Sequence, residues 1–270
     1  MLHQLRKHFS AGILARAAAS AILALALCSC QISGLSDDVT GSIGDKAESS
    51  QADARSLEVY RDRFRAAPKD ANAALQYGRA LRAAGQRSQA VAVLEQATIA
   101  NPTNKQLLAE FGRALADNGN FDQAFDVLSQ AHSPEDPDWR ILSAQGAVLD
   151  QLGRFDDARR YYESALKIAP DEPTVLSNLG LSYLLSKDLT KAEETLRRAN
   201  GRVDDPRVRQ NLALVIGLQG RFAEALTLLK KDRPADEAAA NIKYLKKLLA
   251  AQKENARAEA AEKTKAAAAE

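Results

Sequence analysis

Cysteine, histidine and aromatic side chains are scarce in this 270-residue chain, and the few present are unevenly placed. Both cysteines, Cys28 and Cys30, and two of the three histidines, His3 and His8, fall within the first thirty residues. Beyond them only His132 remains of either type. That distribution excludes a disulfide framework and a Cys/His metal cluster from the body of the chain. It also leaves almost nothing for nucleophile–histidine catalysis. Aromatic residues make up only 5%, which argues against a large β-sandwich or barrel. Neither a phosphate-binding Gly-Lys-Ser/Thr loop nor a Gly-x-Ser-x-Gly elbow is present. The expectation is a chain without cofactor and without enzymatic activity.

The N-terminus carries an address. Residues 1–29 contain Arg6, Lys7 and Arg16 and no acid, and an apolar run extends from Ala17 to Leu27. A basic stretch before a short apolar core is the pattern of a secretory signal. The core is too short for a confident span, which needs about 20 apolar residues. It ends in Leu27-Cys28-Ser29-Cys30, which resembles a bacterial lipoprotein signal. Cys30 fits the lipid-bearing position best, with Leu27 three before it and Ser29 just before it. Cys28, directly behind the bulky Leu27, is the weaker alternative. The resemblance implies cleavage before Cys30 and lipid on Cys30. Gln31 follows, and not the Asp that redirects sorting in enteric-type bacteria, so the expected destination is the outer membrane. Removing the three basic residues of the signal turns 37 Lys+Arg against 35 Asp+Glu into 34 against 35. The remaining chain is near neutral and shows no bias toward nucleic acid. Residues 30–53 are rich in Ser, Gly and Asp and read as a tether. A coil of that length spans about 25 Å.

From residue 71 the chain repeats itself. Gly78, Gly112, Gly146 and Gly180 are spaced by 34 residues, and Ala213 follows after 33. Ala90, Ala124, Ala158, Ala192 and Ala225 keep the same step, each trailed four residues later by Leu94, Leu128, Tyr162, Leu196 and Leu229. Gly85, Gly119, Gly153 and Gly220 mark the middle of four periods, and Lys187-Asp188 stands in the remaining one. Each period reads as two helices. The central Gly can take the left-handed conformation that ends the first helix, and a Pro near the end stops the second. One hairpin cannot bury its apolar faces alone, so stacked hairpins must form a continuous solenoid.

This pattern resembles the tetratricopeptide repeat. Residues 71–104 show Gly78, Leu81, Ala90, Leu94, Ala97 and Pro102 in the family's positions, and 139–172 show Gly146, Leu149, Ala158, Tyr162, Ala165 and Pro170. The resemblance implies an all-α, right-handed α-solenoid. Its expected parts are a half-repeat at 54–70 and repeats at 71–104, 105–138, 139–172, 173–205 and 206–234. A capping helix with an Ala/Glu/Lys tail follows at 235–270. The last repeat is degenerate, because Asp232 replaces the usual Ala. The tail has no apolar stripe and reads as a frayed helix or disorder.

The remaining chemistry is sparse. Glu135, Asp136 and Asp138 cluster beside His132, but without the oxygen spacing and central Gly of a calcium loop. Asp156-Asp157 and Glu193-Glu194 are adjacent on helices, point to different faces, and read as surface charge. In the repeat family the first helices line a groove. Carried over by position, the candidate groove residues are Arg79, Arg82, Arg113, Arg140, Asp150, Asn178, Leu181, Leu184, Asn211 and Leu214. The first half is basic and the second mixed apolar. The expected ligand is a peptide whose acidic part meets Arg79, Arg82 and Arg113.

Several segments are similar to the TadD family, the tetratricopeptide-repeat lipoproteins of the tight-adherence (Flp) pilus assembly system. They are Ser177-Asn178-Leu179-Gly180-Leu181-Ser182-Tyr183, Arg207 to Val215 with Gln219 to Ala225, and Asn241-Ile242-Lys243-Tyr244-Leu245. This resemblance implies a periplasm-facing outer-membrane lipoprotein of a Gram-negative bacterium. It would be a non-catalytic scaffold, pilotin-like, acting on the secretin or other pilus components and bound to the membrane by its N-terminal lipid. The alternative is another periplasmic repeat lipoprotein, serving type IV pili, outer-membrane protein assembly or peptidoglycan enzymes.

Overall fold

The computed structural model describes residues 56–267. The signal, Cys30 and the whole of the tether therefore lie outside the described residues. Twelve helices and no strand are found among them. Helix α1 covers 56–66. The repeats follow as pairs: α2 (Ala71–Ala83) with α3 (Arg87–Ala100), α4 (Lys105–Asp117) with α5 (Phe121–Gln130), and α6 (Trp139–Gln151) with α7 (Phe155–Ile168). Next come α8 (Pro173–Leu185) with α9 (Leu189–Asn200), then α10 (Pro206–Leu218) with α11 (Phe222–Leu229), and last α12 (Ala235–Ala267). The fold is an all-α solenoid.

Packing follows the small residues. A Cβ on Gly78 would lie 2.6 Å from Leu94, on Gly112 2.6 Å from Leu128, on Gly146 2.7 Å from Tyr162 and on Gly180 2.6 Å from Leu196. The first helix of each of these repeats thus meets its second helix with no room for a methyl group. In the fifth repeat the close approach moves. Ala213 takes the usual place, and Gly217 receives Leu245 of α12, whose Cδ2 would collide with an added Cβ. From α2 onward each helix packs on its neighbours in sequence, and each first helix also touches the first helix of the next repeat. The first helices α2, α4, α6, α8 and α10 therefore share one continuous face. At the N-terminal end Phe64 of α1 enters the core and stacks on Tyr77, with ring centroids 5.7 Å apart.

The turn inside each repeat is a Schellman closure. Gln86 N–H donates to Leu81 O at 2.9 Å and Gly85 N–H to Arg82 O at 3.0 Å, with Gly85 at φ +70°. The fourth repeat makes the same closure without glycine. Asp188 N–H reaches Tyr183 O at 2.9 Å, and Lys187 is forced to φ +66°. Between repeats, Asp70, Asn104, Asp138 and Asp205 each cap the next first helix by accepting backbone N–H groups. Glu172 holds the equivalent place before α8 and makes no side-chain cap.

Two departures from the sequence reading stand out. The Ala/Glu/Lys tail is helical rather than frayed, since α12 runs for 33 residues to Ala267. Ala238 and Ile242 anchor its start in the core, while the side chains described beyond Leu249 are exposed. The extension rests on helix propensity alone, which Ala, Glu and Lys supply. The irregular fifth repeat also has a reason. Asp232, in place of Ala, has a side chain only 6% exposed and receives Arg209 Nε at 2.7 Å. Arg209, itself buried, also pairs with Asp204. A buried ion pair thus joins α10 to the turn after α11.

Candidate functional site

The shared face of the first helices changes character along the chain. In the first two repeats Arg79, Arg82 and Arg113 do not stand free. They converge on Glu110 of α4, whose side chain is only 4% exposed. Arg79 Nε donates to Glu110 Oε2 at 3.2 Å, Arg113 Nη1 to the same oxygen at 3.4 Å, and Arg82 Nη1 to Oε1. Arg82 Nε also binds Asp117 at 2.6 Å. Burial pushes the Glu110 carboxyl up, but the Arg82 hydrogen bond and the charges of Arg82 and Arg113 outweigh it and hold the group below its ordinary range. Burial likewise lowers Arg113, with Glu110 acting against it. The basic half of the face is therefore a charge cluster centred on Glu110, with Asp117 at its edge, and Glu110 was not among the sequence candidates.

Beyond this cluster lies a cleft of about 380 Å³ between repeats two and three. Arg79, Arg113 and Arg140 border it, together with Lys105, His132 and the apolar side chains of Ala109 and Ile141. Arg140 lies with its guanidinium 4.4 Å above the Trp139 ring. His132 Nε2 is 3.0 Å from Gln145 Oε1, and the almost fully buried Gln145 reaches Ser129 Oγ at 3.0 Å.

The second half of the face is neutral. Asn178 Nδ2 donates to Ser143 Oγ at 3.2 Å, and Asn211 Nδ2 reaches Ser177 Oγ at 3.5 Å. Each asparagine thus leans on a serine of the preceding repeat, about one period away. Leu181 and Leu214 are half-buried, whereas Leu184 is buried in the core and does not offer a groove wall. Asp150 is also buried. It accepts from Ser182 Oγ at 2.6 Å and from Tyr162 Oη at 2.9 Å. Burial pushes its carboxyl up to about 6, against the two hydroxyls and the charge of Arg159, which pull it down.

Three of the four adjacent carboxylates away from this face are occupied by ion pairs. Asp156 pairs with Arg159, Asp157 with Arg154, and Glu193 with Arg197 and Arg221. Among the described residues no group of three or more His, Cys, Asp or Glu is placed to hold a metal ion. No helix there is long and apolar enough to cross a membrane.

Family models described as tetratricopeptide repeat match residues 75–138 and 143–206, and a further one matches 206–231. The chain belongs to the tetratricopeptide-repeat family. The search of curated proteins found no match. Among solved structures it is similar to a tetratricopeptide-repeat protein from Parabacteroides merdae, at 14% identity over 75% of this chain and 79% of that one, with a TM-score of 0.61. A thermophilic tetratricopeptide-repeat protein of Thermus thermophilus is 24% identical over 67% of this chain and 98% of its own, with a TM-score of 0.56. PilW, described as a widely conserved type IV pilus biogenesis factor, is 18% identical over 74% and 88%, also with a TM-score of 0.56. At such identities the likeness is one of fold. A tetratricopeptide-repeat fold is in general a non-catalytic scaffold for protein interaction.

Proposed function

We propose that this tetratricopeptide-repeat protein is a non-catalytic assembly scaffold. In this reading it is held at the periplasmic side of the outer membrane by lipid on Cys30, and it binds a component of a tight-adherence (Flp) pilus apparatus, such as the secretin, along the first-helix face. The observation that carries the reading is the change along one continuous face from a charge cluster at Arg79, Arg82, Glu110 and Arg113 to a neutral stretch at Asn178, Leu181, Asn211 and Leu214. A surface graded in this way can read the direction as well as the composition of a bound segment. The lipobox at Leu27–Cys30 and the TadD-like segments of repeats four and five support the setting. PilW, as a pilus biogenesis factor on the same fold, is compatible with it.

The test is capture of the detergent-solubilised full chain from its native envelope, followed by mass spectrometry. The reading predicts a pilus secretin or another secretion component among the captured proteins. Recovery without any such component overturns it. Incorporation of labelled palmitate, lost in Cys30→Ser, tests the anchor separately.

A further inference from the structure

Helix α12 ends the solenoid, and its inner stripe holds it there. It packs on α10 and α11. Ala238 and Ile242 are buried, and Leu245 reaches Gly217 of α10. The opposite side of the helix carries Ala240, Lys243, Tyr244, Lys247 and Ala251, all exposed. Their spacing puts them on one stripe about 17 Å long.

The charge of this side is of one sign and free. From Ala238 to Lys253 there is no acid, but there are Lys243, Lys246, Lys247 and Lys253. Lys243, Lys247 and Lys253 have no ion-pair partner among the described residues, and Lys246 lies 4.9 Å from the Phe222 ring centroid. Glu237, one turn before Ala240, is turned to Arg233 at 3.9 Å. The acid-free run from Pro206 to Ala223 is different, because its Arg207, Arg209 and Arg221 are each closed by a carboxylate. Tyr244 adds a second feature. It is the one aromatic among the large apolar side chains that stand exposed in the described residues, at 52%. Its phenol has no hydrogen-bond partner there.

We propose that α12 lays this stripe on the surface of an anionic phospholipid bilayer. Lys243 and Lys247 meet the lipid phosphates, and Tyr244 sits between them at headgroup depth. Lysine stems are apolar, so they lie along the interface while the ammonium groups reach the phosphates. Tyrosine, with an apolar body and a polar tip, suits the same depth. Ala240 and Ala251 add little bulk, so the helix can approach closely. Each lysine near such a surface favours binding about fivefold, and salt screens the attraction. The apolar content is too small for deep insertion, so the helix rests on the headgroups. A lone helix is a convex ridge, which a flat surface meets without a matching concavity. A second copy paired along the same stripe would set lysine against lysine. The inference uses neither the first-helix face nor lipid on Cys30, and it goes beyond the scaffold reading.

The full chain is mixed from detergent into vesicles of phosphatidylcholine, alone or with phosphatidylglycerol at about one lipid in three. A fluorescent amino acid placed at Ala251 reports its exposure through quenching by acrylamide, a neutral quencher that surface charge does not attract. Quenching is expected to fall about twofold or more in the phosphatidylglycerol vesicles and to stay unchanged in phosphatidylcholine alone. High salt should restore it. Lys243→Gln with Lys247→Gln should restore it too. Lys69→Gln with Lys167→Gln, the same charge change away from α12, should leave the protection in place. Tyr244→Ser should lose part of the protection, and Tyr244→Trp should keep it. All these side chains are exposed, so thermal unfolding should be unchanged and shows that each variant is folded. Equal quenching in the two kinds of vesicle, or protection that survives the double substitution on α12, overturns the proposal. Protection that rises with protein concentration in detergent alone also overturns it, and assigns the stripe to a second copy.

Discussion

Two nearly buried carboxylates on the same face behave in opposite ways. Glu110 of α4 lies under three guanidinium groups and is held ionised below its ordinary range, although burial alone pushes it up. Asp150 of α6, one repeat further on, meets two hydroxyls and only a more remote arginine, and burial carries it up to about 6. The depth is similar, so the charge of the partners decides the outcome. The first half of the face therefore keeps a fixed electrostatic pattern, whereas the middle can change its protonation within the range of mild acid.

The contrast breaks most sharply at Glu110. Glu110→Gln removes the anion that Arg79, Arg82 and Arg113 share and leaves only Asp117, on Arg82. Because these arginines are partly exposed, the expected loss is about 2–3 kcal/mol, below the full cost of orphaning a buried charge. Chemical denaturation of the variant checks it, and a change under about 1 kcal/mol would mean that the cluster is not held by its anion.

Asp150 is the complementary case. Its folded-state pKa lies above the unfolded value, so the folded state holds the proton more tightly. The contribution of Asp150 to stability is fully present below about pH 4 and is lost as pH rises through about 6. The size is about 2–3 kcal/mol. Glu110 runs the other way: its contribution is present above the unfolded pKa and is lost as pH falls through its depressed folded value. Asp150→Asn should flatten the stability profile between about pH 4 and 6. A profile of unchanged slope there would assign the pH dependence to other groups.

Smaller effects come from two places where the repeat pattern lapses. Lys187 occupies the left-handed position that glycine fills in four other repeats. Lys187→Gly is expected to stabilise by about 1 kcal/mol, seen as a higher midpoint in thermal unfolding, and a loss would show that its side chain holds the turn. Glu172 sits where Asp or Asn caps the other first helices. Glu172→Asp should add about 0.5–1 kcal/mol on the same measurement, unless the Pro173 at the start of α8 already fixes that end.

The repeat frame was legible because its signals are local. Gly78, Gly112, Gly146 and Gly180 report a contact one helix away, and the central glycines report a backbone angle. Arg79, Arg113 and Arg140 could be placed on the face by the same register. Glu110 was missed because a glutamate on an amphipathic helix reads as exposed, and its burial depends on arginines from the neighbouring repeat. The one signal available was its register, sixth in its repeat and three residues before Arg113. Asp232 announced itself only as a departure from the pattern, since its partner Arg209 lies on another helix. Leu184 followed the register to the face but was drawn into the core by repeat five.

Whether the first-helix face meets the partner can be asked inside the native envelope. A photo-crosslinking amino acid is placed at Gln106, in the cleft, and in a second variant at Ile99, which is exposed on the second helix α3. A face that binds the partner gives a crosslinked pilus component from Gln106 that disappears when Arg79 and Arg140 are reversed to Glu, with none from Ile99. Crosslinks from Ile99 with none from Gln106 would contradict it.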